Sequence, residues 1–156
     1  MLERGAEQRA LFRRWPAGVC VVVAELDGRR HGLTVSSLVS LSLEPPLVGI
    51  SLALQASLHE LLREAGEWAV SILNGDQEHL AQHFARSVPP IALWNGIPVR
   101  DDDPRFLRDA AGWLLVRTVA QIPAGDHTFF VGEIEQLEEG NAAGSLVYVH
   151  RGYRAL

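Results

Sequence analysis

Hydrophobic positions in this chain fall in short blocks, and the spacing inside each block predicts an element. Residues 2–15 place Leu2, Ala6, Ala10, Leu11 and Trp15 at near-helical intervals on a charged background, so a helix is expected there, ended by Pro16 and Gly18. Residues 19–24 are an unbroken apolar run rich in valine, the pattern of a strand buried on both faces or nearly so. Asp27-Gly28 predicts a hairpin turn, with a return strand through His31-Gly32-Leu33-Thr34-Val35 that leads into the hydroxyl-rich stretch 36–42. Pro45-Pro46 interrupts the chain before a strand over 47–52. Ser57, with Glu60 three positions on, predicts the N-cap of a helix over 58–65 that Gly66 ends. A strand over 68–73 follows, then a helix capped by Asp76 and running to about Ala85. Residues 86–112 hold four of the eight prolines and the run Asp101-Asp102-Asp103, and read as a long surface loop with a helical turn near Phe106. Strands are expected over 113–122 and 128–137, joined by a turn at Gly125-Asp126, and over 146–149.

About seven strands at short spacing, with two or three short helices, predict a mainly β, antiparallel barrel with helices at its flanks. No regular strand–helix alternation is present, which argues against a doubly wound sheet. A length of 156 residues fits one domain covering 1–156.

Composition narrows the function classes. Hydrophobic residues make up 47% and charged residues 21%, enough for a real core. The net charge of −5 and a pI near 5.6 argue against a nucleic-acid partner. There is no lysine, so any phosphate must be held by arginine, histidine, hydroxyls or backbone N–H groups. Cys20, the only cysteine, lies inside the valine run and reads as a small core hydrophobe; no intrachain disulfide and no cysteine metal site is expected. His79 and His83 have a metal-compatible spacing but no HExxH context, and read as a solvated helix face. No apolar run is long enough for a membrane helix and the N-terminus is too charged for a secretory signal, so a soluble cytoplasmic protein is expected.

Four segments carry more than a generic barrel. They are 31–37 with Ser40-Leu41-Ser42-Leu43-Glu44-Pro45-Pro46-Leu47-Val48; Trp68-Ala69-Val70-Ser71-Ile72-Leu73 with Asp76-Gln77-Glu78; Gly125-Asp126-His127-Thr128-Phe129-Phe130-Val131-Gly132-Glu133; and Tyr148 with Arg151-Gly152-Tyr153-Arg154. Their content, order and spacing resemble the flavin reductase-like family, as does the opening Phe12-Arg13-Arg14-Trp15-Pro16-Ala17-Gly18-Val19. The resemblance spans nearly the whole chain apart from 86–112. It implies an antiparallel split β-barrel, a homodimer with flavin sites at or near the subunit interface, and reduction of FMN or FAD by NADH or NADPH. It further implies a flavin-dependent monooxygenase as a partner that receives reduced flavin. A non-catalytic FMN-binding electron carrier or sensor is the alternative that the same barrel would serve.

A flavin needs an apolar slot with backbone donors and acceptors along its pyrimidine edge. Thr34, Val35, Ser36 and Ser37 are candidates for that edge, and Ser51, Leu52 and Ala53 form the parallel candidate. For the phosphate tail, Ser57 at a helix start, His59 and Arg86 are candidates. An Asp-Arg pair common in relatives is replaced here by Ala53-Leu54, so the choice between FMN and FAD stays open. The resemblance places His127 beside the flavin, where it would position the nicotinamide, polarise the flavin edge or deliver a proton; after a turn, a histidine otherwise caps the hairpin through Asp126. Tyr148, Arg151 and Tyr153 either reach the nucleotide region or close the barrel.

Overall fold

The computed structural model describes residues 2–156. In chain order the elements are α1 (Leu2–Phe12), β1 (Ala17–Gly18), β2 (Cys20–Leu26), β3 (Arg29–Val35), β4 (Val39–Leu43), β5 (Pro46–Ala53), α2 (Ser57–Ala65), β6 (Glu67–Ile72), α3 (Glu78–Ala85), β7 (Gly112–Ala124), β8 (His127–Glu139), β9 (Leu146–Val149) and β10 (Gly152–Ala155). Seven strands form one antiparallel sheet in the order β3-β2-β6-β7-β8-β5-β4, and β1-β9-β10 form a smaller one. The fold is mainly β with three helices.

The sheet curls because strands far apart in that order bury their side chains together. Val22 of β2, Val35 of β3, Ile50 of β5, Trp68 of β6, Val116 of β7 and Phe130 of β8 share one cluster with Leu58 and Leu62 of α2, which plugs the concave side. Val19, just before β2, and the alternate face of β2, Val21 and Val23, pack into a second cluster with Leu80 and Phe84 of α3, Leu93, Leu107 and Leu146. The valine run is therefore buried on both faces, as its lack of alternation predicts.

Several elements differ from the sequence expectation. Residues 36–42 do not continue β3: the ladder with β2 ends at Val35, and a separate strand β4 pairs with β5 instead. Ser57 is the first residue of α2 and not its cap; Ala56 takes the cap position without a side-chain bond. Asp76 does not cap α3. Gln77 precedes the helix and accepts from the Asn74 N–H, while Asn74 Oδ1 accepts from the Asp76 N–H. Two amides thus build a turn that the aspartate was expected to make. Residues 86–112 are irregular, yet they are not only surface: Leu93 and Leu107 are buried, and Val99 forms a single antiparallel bridge to Leu107. His83 ties this segment down by donating to the Leu93 carbonyl at 2.7 Å, so it is not part of a solvated face.

Candidate active site

The β3–β4 turn is held by one hydroxyl. β4 covers the outer edge of β5 only as far as Gly49. Beyond it the backbone of Ser51 would face an open edge, and Ser37 fills the gap: its Oγ accepts from the Ser51 N–H at 3.0 Å and donates to the Ser51 carbonyl at 3.1 Å. Thr34 is fixed from the other side, donating its hydroxyl to the Ala81 carbonyl at the middle of α3. With both hydroxyls engaged, this segment can offer a ligand its exposed Ser36 side chain and the backbone of an edge strand, half of whose N–H and C=O groups lack ladder partners. The side chains of Val35 and Leu52 lie in the core, so only their backbones are available.

Two residues along β5 from Ser51, Ala53 stands opposite His127, the first residue of β8. β7 and β8 reverse through Gly125 and Asp126, with Gly125 in the left-handed region at φ 63°. The Leu54 N–H donates to the Asp126 carbonyl and pins the hairpin tip to the end of β5. His127 Nδ1 lies 2.7 Å from Asp126 Oδ1. A carboxylate only accepts, so Nδ1 carries the proton and Nε2 is turned free. The imidazole beside it is the main cause that holds the Asp126 carboxyl below the ordinary carboxylate range, with a smaller contribution from Arg9. The His127 side chain is 43% exposed, open to a ligand while anchored by its partner.

The C-terminal residues close the other side. β1, β9 and β10 place Ala17 opposite Tyr148, and Tyr148 opposite Tyr153, whose rings pack at 5.1 Å. Burial, then the neighbouring Tyr148 and Glu78, push the Tyr153 hydroxyl up in pKa. The β9–β10 turn places His150 and Arg151 at φ 51° and 63°, where side chains other than glycine carry strain of about 1–3 kcal/mol each. The His150 N–H donates to the Arg13 carbonyl at 2.6 Å and fastens the turn to the end of the N-terminal helix.

These parts meet along α1. One cleft of about 460 Å³ holds Ser36, Tyr148 and Arg151 together with Arg9, Phe12 and Arg13. A second, of about 750 Å³, holds Asp126 and His127 with Arg9 and Phe12 again. A third, of about 210 Å³, joins Thr34 and Ser36 to Tyr148 and Tyr153. The structure thus gathers His127, Thr34, Ser36, Tyr148, Arg151 and Tyr153 around connected clefts, with Ser37, Ser51 and Ala53 in the supporting backbone.

Three candidates stand apart. His59 is 4% exposed, with Nε2 2.7 Å from Thr128 Oγ1, Nδ1 3.0 Å from Glu60 and its ring edge on Phe130; it is a core residue and offers no nitrogen to a phosphate. Ser57 Oγ lies 2.5 Å from His31 Nε2, leaving only the backbone at the start of α2. Arg86 follows α3, is exposed and forms no ion pair among the described residues. The sequence reading missed α1 as a wall of the site. Its signal was the pair Arg9 and Arg13, four apart beside Phe12, masked by an ordinary amphipathic pattern.

An open slot of edge backbone, a half-exposed imidazole with a free Nε2, aromatic rings and the guanidinium groups of Arg9, Arg13 and Arg151, which form no ion pair among the described residues, make a donor set that fits a flat heteroaromatic nucleotide. Comparison with known proteins agrees with it. Residues 12–156 match the family described as flavin reductase like domain. The reductase component of 4-hydroxyphenylacetate 3-monooxygenase from Thermus thermophilus is 40% identical over 144 residues, covering 92% of this chain and 91% of the relative. An NADH:FMN oxidoreductase from Rhodococcus qingshengii is 36% identical over 154 residues, covering 94% and 78%. Among solved structures, the NADH:FAD oxidoreductase of Streptomyces globisporus C-1027 in complex with NAD and FAD fragments superposes with a TM-score of 0.89 at 27% identity, covering 97% of this chain and 92% of the other.

Proposed function

Because the chain belongs to the flavin reductase-like domain family, and is an NAD(P)H:flavin oxidoreductase, we propose that the β3–β4 turn and the Asp126–His127 corner are the two sides of its reaction site. The observation that carries this reading is their common support on β5. Ser51 ties the turn and Ala53 stands opposite His127, two residues and so about 7 Å apart along the strand. When bound, the flavin supplies the hydride acceptor and the nicotinamide the donor. The backbone of 34–37 binds the polar edge of the ring, and Ser37 keeps that backbone in place. His127 orients the nicotinamide or the flavin edge through Nε2, and Asp126 fixes the ring that does so. Tyr148 and Tyr153 cover the slot from the C-terminal sheet.

The chain works as a homodimer in this reading. Leu11, Phe12 and Trp15 of the N-terminal segment and Leu41 and Leu43 of β4 are all exposed large apolar groups, more than a small monomer ordinarily leaves bare. A flavin-dependent monooxygenase takes the reduced product, as the name of the Thermus relative suggests for that protein.

An anaerobic absorbance assay tests the function. Purified protein with NADH or NADPH and FMN or FAD is expected to bleach the flavin band at a rate proportional to protein concentration. Flavin binding without bleaching would replace the reductase with a non-catalytic flavin carrier.

A further inference from the structure

The cluster that α2 plugs is built from apolar side chains, and one polar pair is buried against it. Leu58 and Leu62 of α2 pack among Ile50, Val116 and Phe130 there. On the same helix His59 is 4% exposed, and its partner on β8, Thr128, is 8% exposed. Two apolar residues of the same shape would hold the elements together about as well, because the net contribution of a buried hydrogen bond is small. What the polar pair adds is direction. His59 Nδ1 donates to Glu60 Oε1 at 3.0 Å, since a carboxylate only accepts. Arg63, and then His59, hold that carboxyl below the ordinary carboxylate range, and Arg63 Nε donates to its other oxygen at 2.9 Å. Nε2 is left to accept from the Thr128 hydroxyl at 2.7 Å. The ring edge rests on Phe130, with centroids 5.5 Å apart, so the imidazole is fixed at both nitrogens and along one side.

Thr128 directly follows His127, and side chains alternate across a strand. Thr128 therefore points into the core, while the His127 side chain lines a cleft. The hairpin tip before them has no core of its own, since residues 121–126 are all exposed. Thr128 is the first buried residue of β8. The strand ladders and the bond from the Leu54 N–H to the Asp126 carbonyl hold the backbone of this corner. The Thr128 hydroxyl is what ties it to α2. Any roll of β8 at Thr128 carries the His127 ring with it.

We propose that Thr128 and His59 are positioning residues for the reduction: their bond sets the roll of β8 at its start and so aims His127 at the reacting rings. The proposal rests on the place given to His127 above. Neither residue touches a substrate; both act through the imidazole on the other face of the strand. It also gives a cause for a hydroxyl and an imidazole at two buried positions where apolar side chains would serve packing alone.

The test is anaerobic stopped-flow reduction of FMN at saturating NADH, in the full-length protein. Thr128→Val removes the hydroxyl and keeps the shape. It is expected to slow hydride transfer about fivefold, as a displacement well under 1 Å near the reacting atoms does, with FMN affinity within about twofold of the wild type. Thr128→Ser, which keeps the hydroxyl, should restore most of the rate. Added to His127→Ala, Thr128→Val should slow the reaction no further, because a tether acting through His127 then has nothing to aim. The double apolar variant His59→Leu with Thr128→Val leaves no buried nitrogen unpaired, so it keeps the test open if Thr128→Val alone folds poorly. A wild-type thermal melt with the rate still low in that variant supports the tether. Wild-type rates in Thr128→Val or in the apolar pair would overturn it, as would a Thr128→Ser as slow as Thr128→Val, or effects of Thr128→Val and His127→Ala that multiply. A silent His127→Ala would remove the site reading and the tether together. A slow His127→Ala beside a silent Thr128→Val would remove the tether and keep the site.

Discussion

At the scale of single residues, the site depends on which polar groups are occupied by the fold and which are left free. Ser37, Thr34, His59 and Ser57 all looked like ligands because hydroxyls and imidazoles are chemically suited to flavin phosphates and edges. In the structure each is committed to a bond that ties two elements together. No sequence pattern reveals those ties, since each reaches a residue at least 14 positions away. His127 differs because its bond is to the adjacent Asp126 and no distant residue takes its other nitrogen among the described residues, so its orientation was legible beforehand. His127→Ala is expected to slow flavin reduction in stopped flow by about tenfold or more, as loss of a positioning contact does, while flavin affinity changes much less. Unchanged reduction kinetics would remove His127 from the site. The pH behaviour follows from Asp126. Its folded pKa is depressed, so its tether to His127 is fully present above the ordinary carboxylate value near 3.9 and is lost only as acid is added through the lower folded value. The rate profile should therefore show no carboxylate limb between about pH 5 and pH 9. A limb in that range that disappears in Asp126→Asn would contradict this.

At the scale of elements, long strands and tight hairpins were readable from pattern, and short or borrowed elements were not. β2, β5, β6, β7 and β8 carry enough apolar residues and clear enough turns to be placed within a few positions. β1 has two residues and β10 four, and each exists only because β9 lies beside it. β4 was hidden because hydroxyl-rich alternation fits either a continued β3 or a new strand, and the choice is made by Ser37 bonding to Ser51. Residues 86–112 looked solvent-facing from their prolines and aspartates, but Leu93 and Leu107 bury themselves against α3 and β2. Gly132, quoted in sequence as part of a motif, has a packing cause. A Cβ there would lie 2.2 Å from Val116 Cγ1 and 3.0 Å from Cζ2 of the buried Trp68, whose Nε1 donates to Thr118 Oγ1. Gly132→Ala is expected to cost about 1–3 kcal/mol by overpacking. Urea unfolding should show a lower midpoint at unchanged slope. Gly5→Ala on α1, where nothing lies within 4 Å, serves as the control and should leave the midpoint level or slightly raised. Equal midpoints for Gly132→Ala and the wild type would mean that β8 yields where the packing says it cannot.

At the scale of the whole molecule, the open ends of the seven-stranded sheet are the unresolved tension in a single chain. β3 and β4 are its two edges, and neither is paired with the other. Soluble proteins usually protect an edge with charge or cover. β4 instead exposes Val39, Leu41 and Leu43, the last at 88%, and a bulge between Ser40 and Ser42 is its only protective irregularity. α1 in turn leaves Leu11 bare, and the chain just after it is fastened to the rest through the Arg13 carbonyl. A helix with no buried side chain would not hold its place well on that contact alone. Both features are explained at once if a second copy covers them, which also encloses a slot that one chain leaves open. Sedimentation equilibrium at micromolar concentration is expected to give twice the chain mass of 17.1 kDa. Leu41→Asp with Leu43→Asp should shift that equilibrium toward the monomer by at least about tenfold, since burying each leucine contributes about 1.5–3 kcal/mol. The monomer so produced should bind flavin more weakly than the dimer. A wild-type chain that stays monomeric while reducing flavin at full rate would show that the slot is complete within one chain.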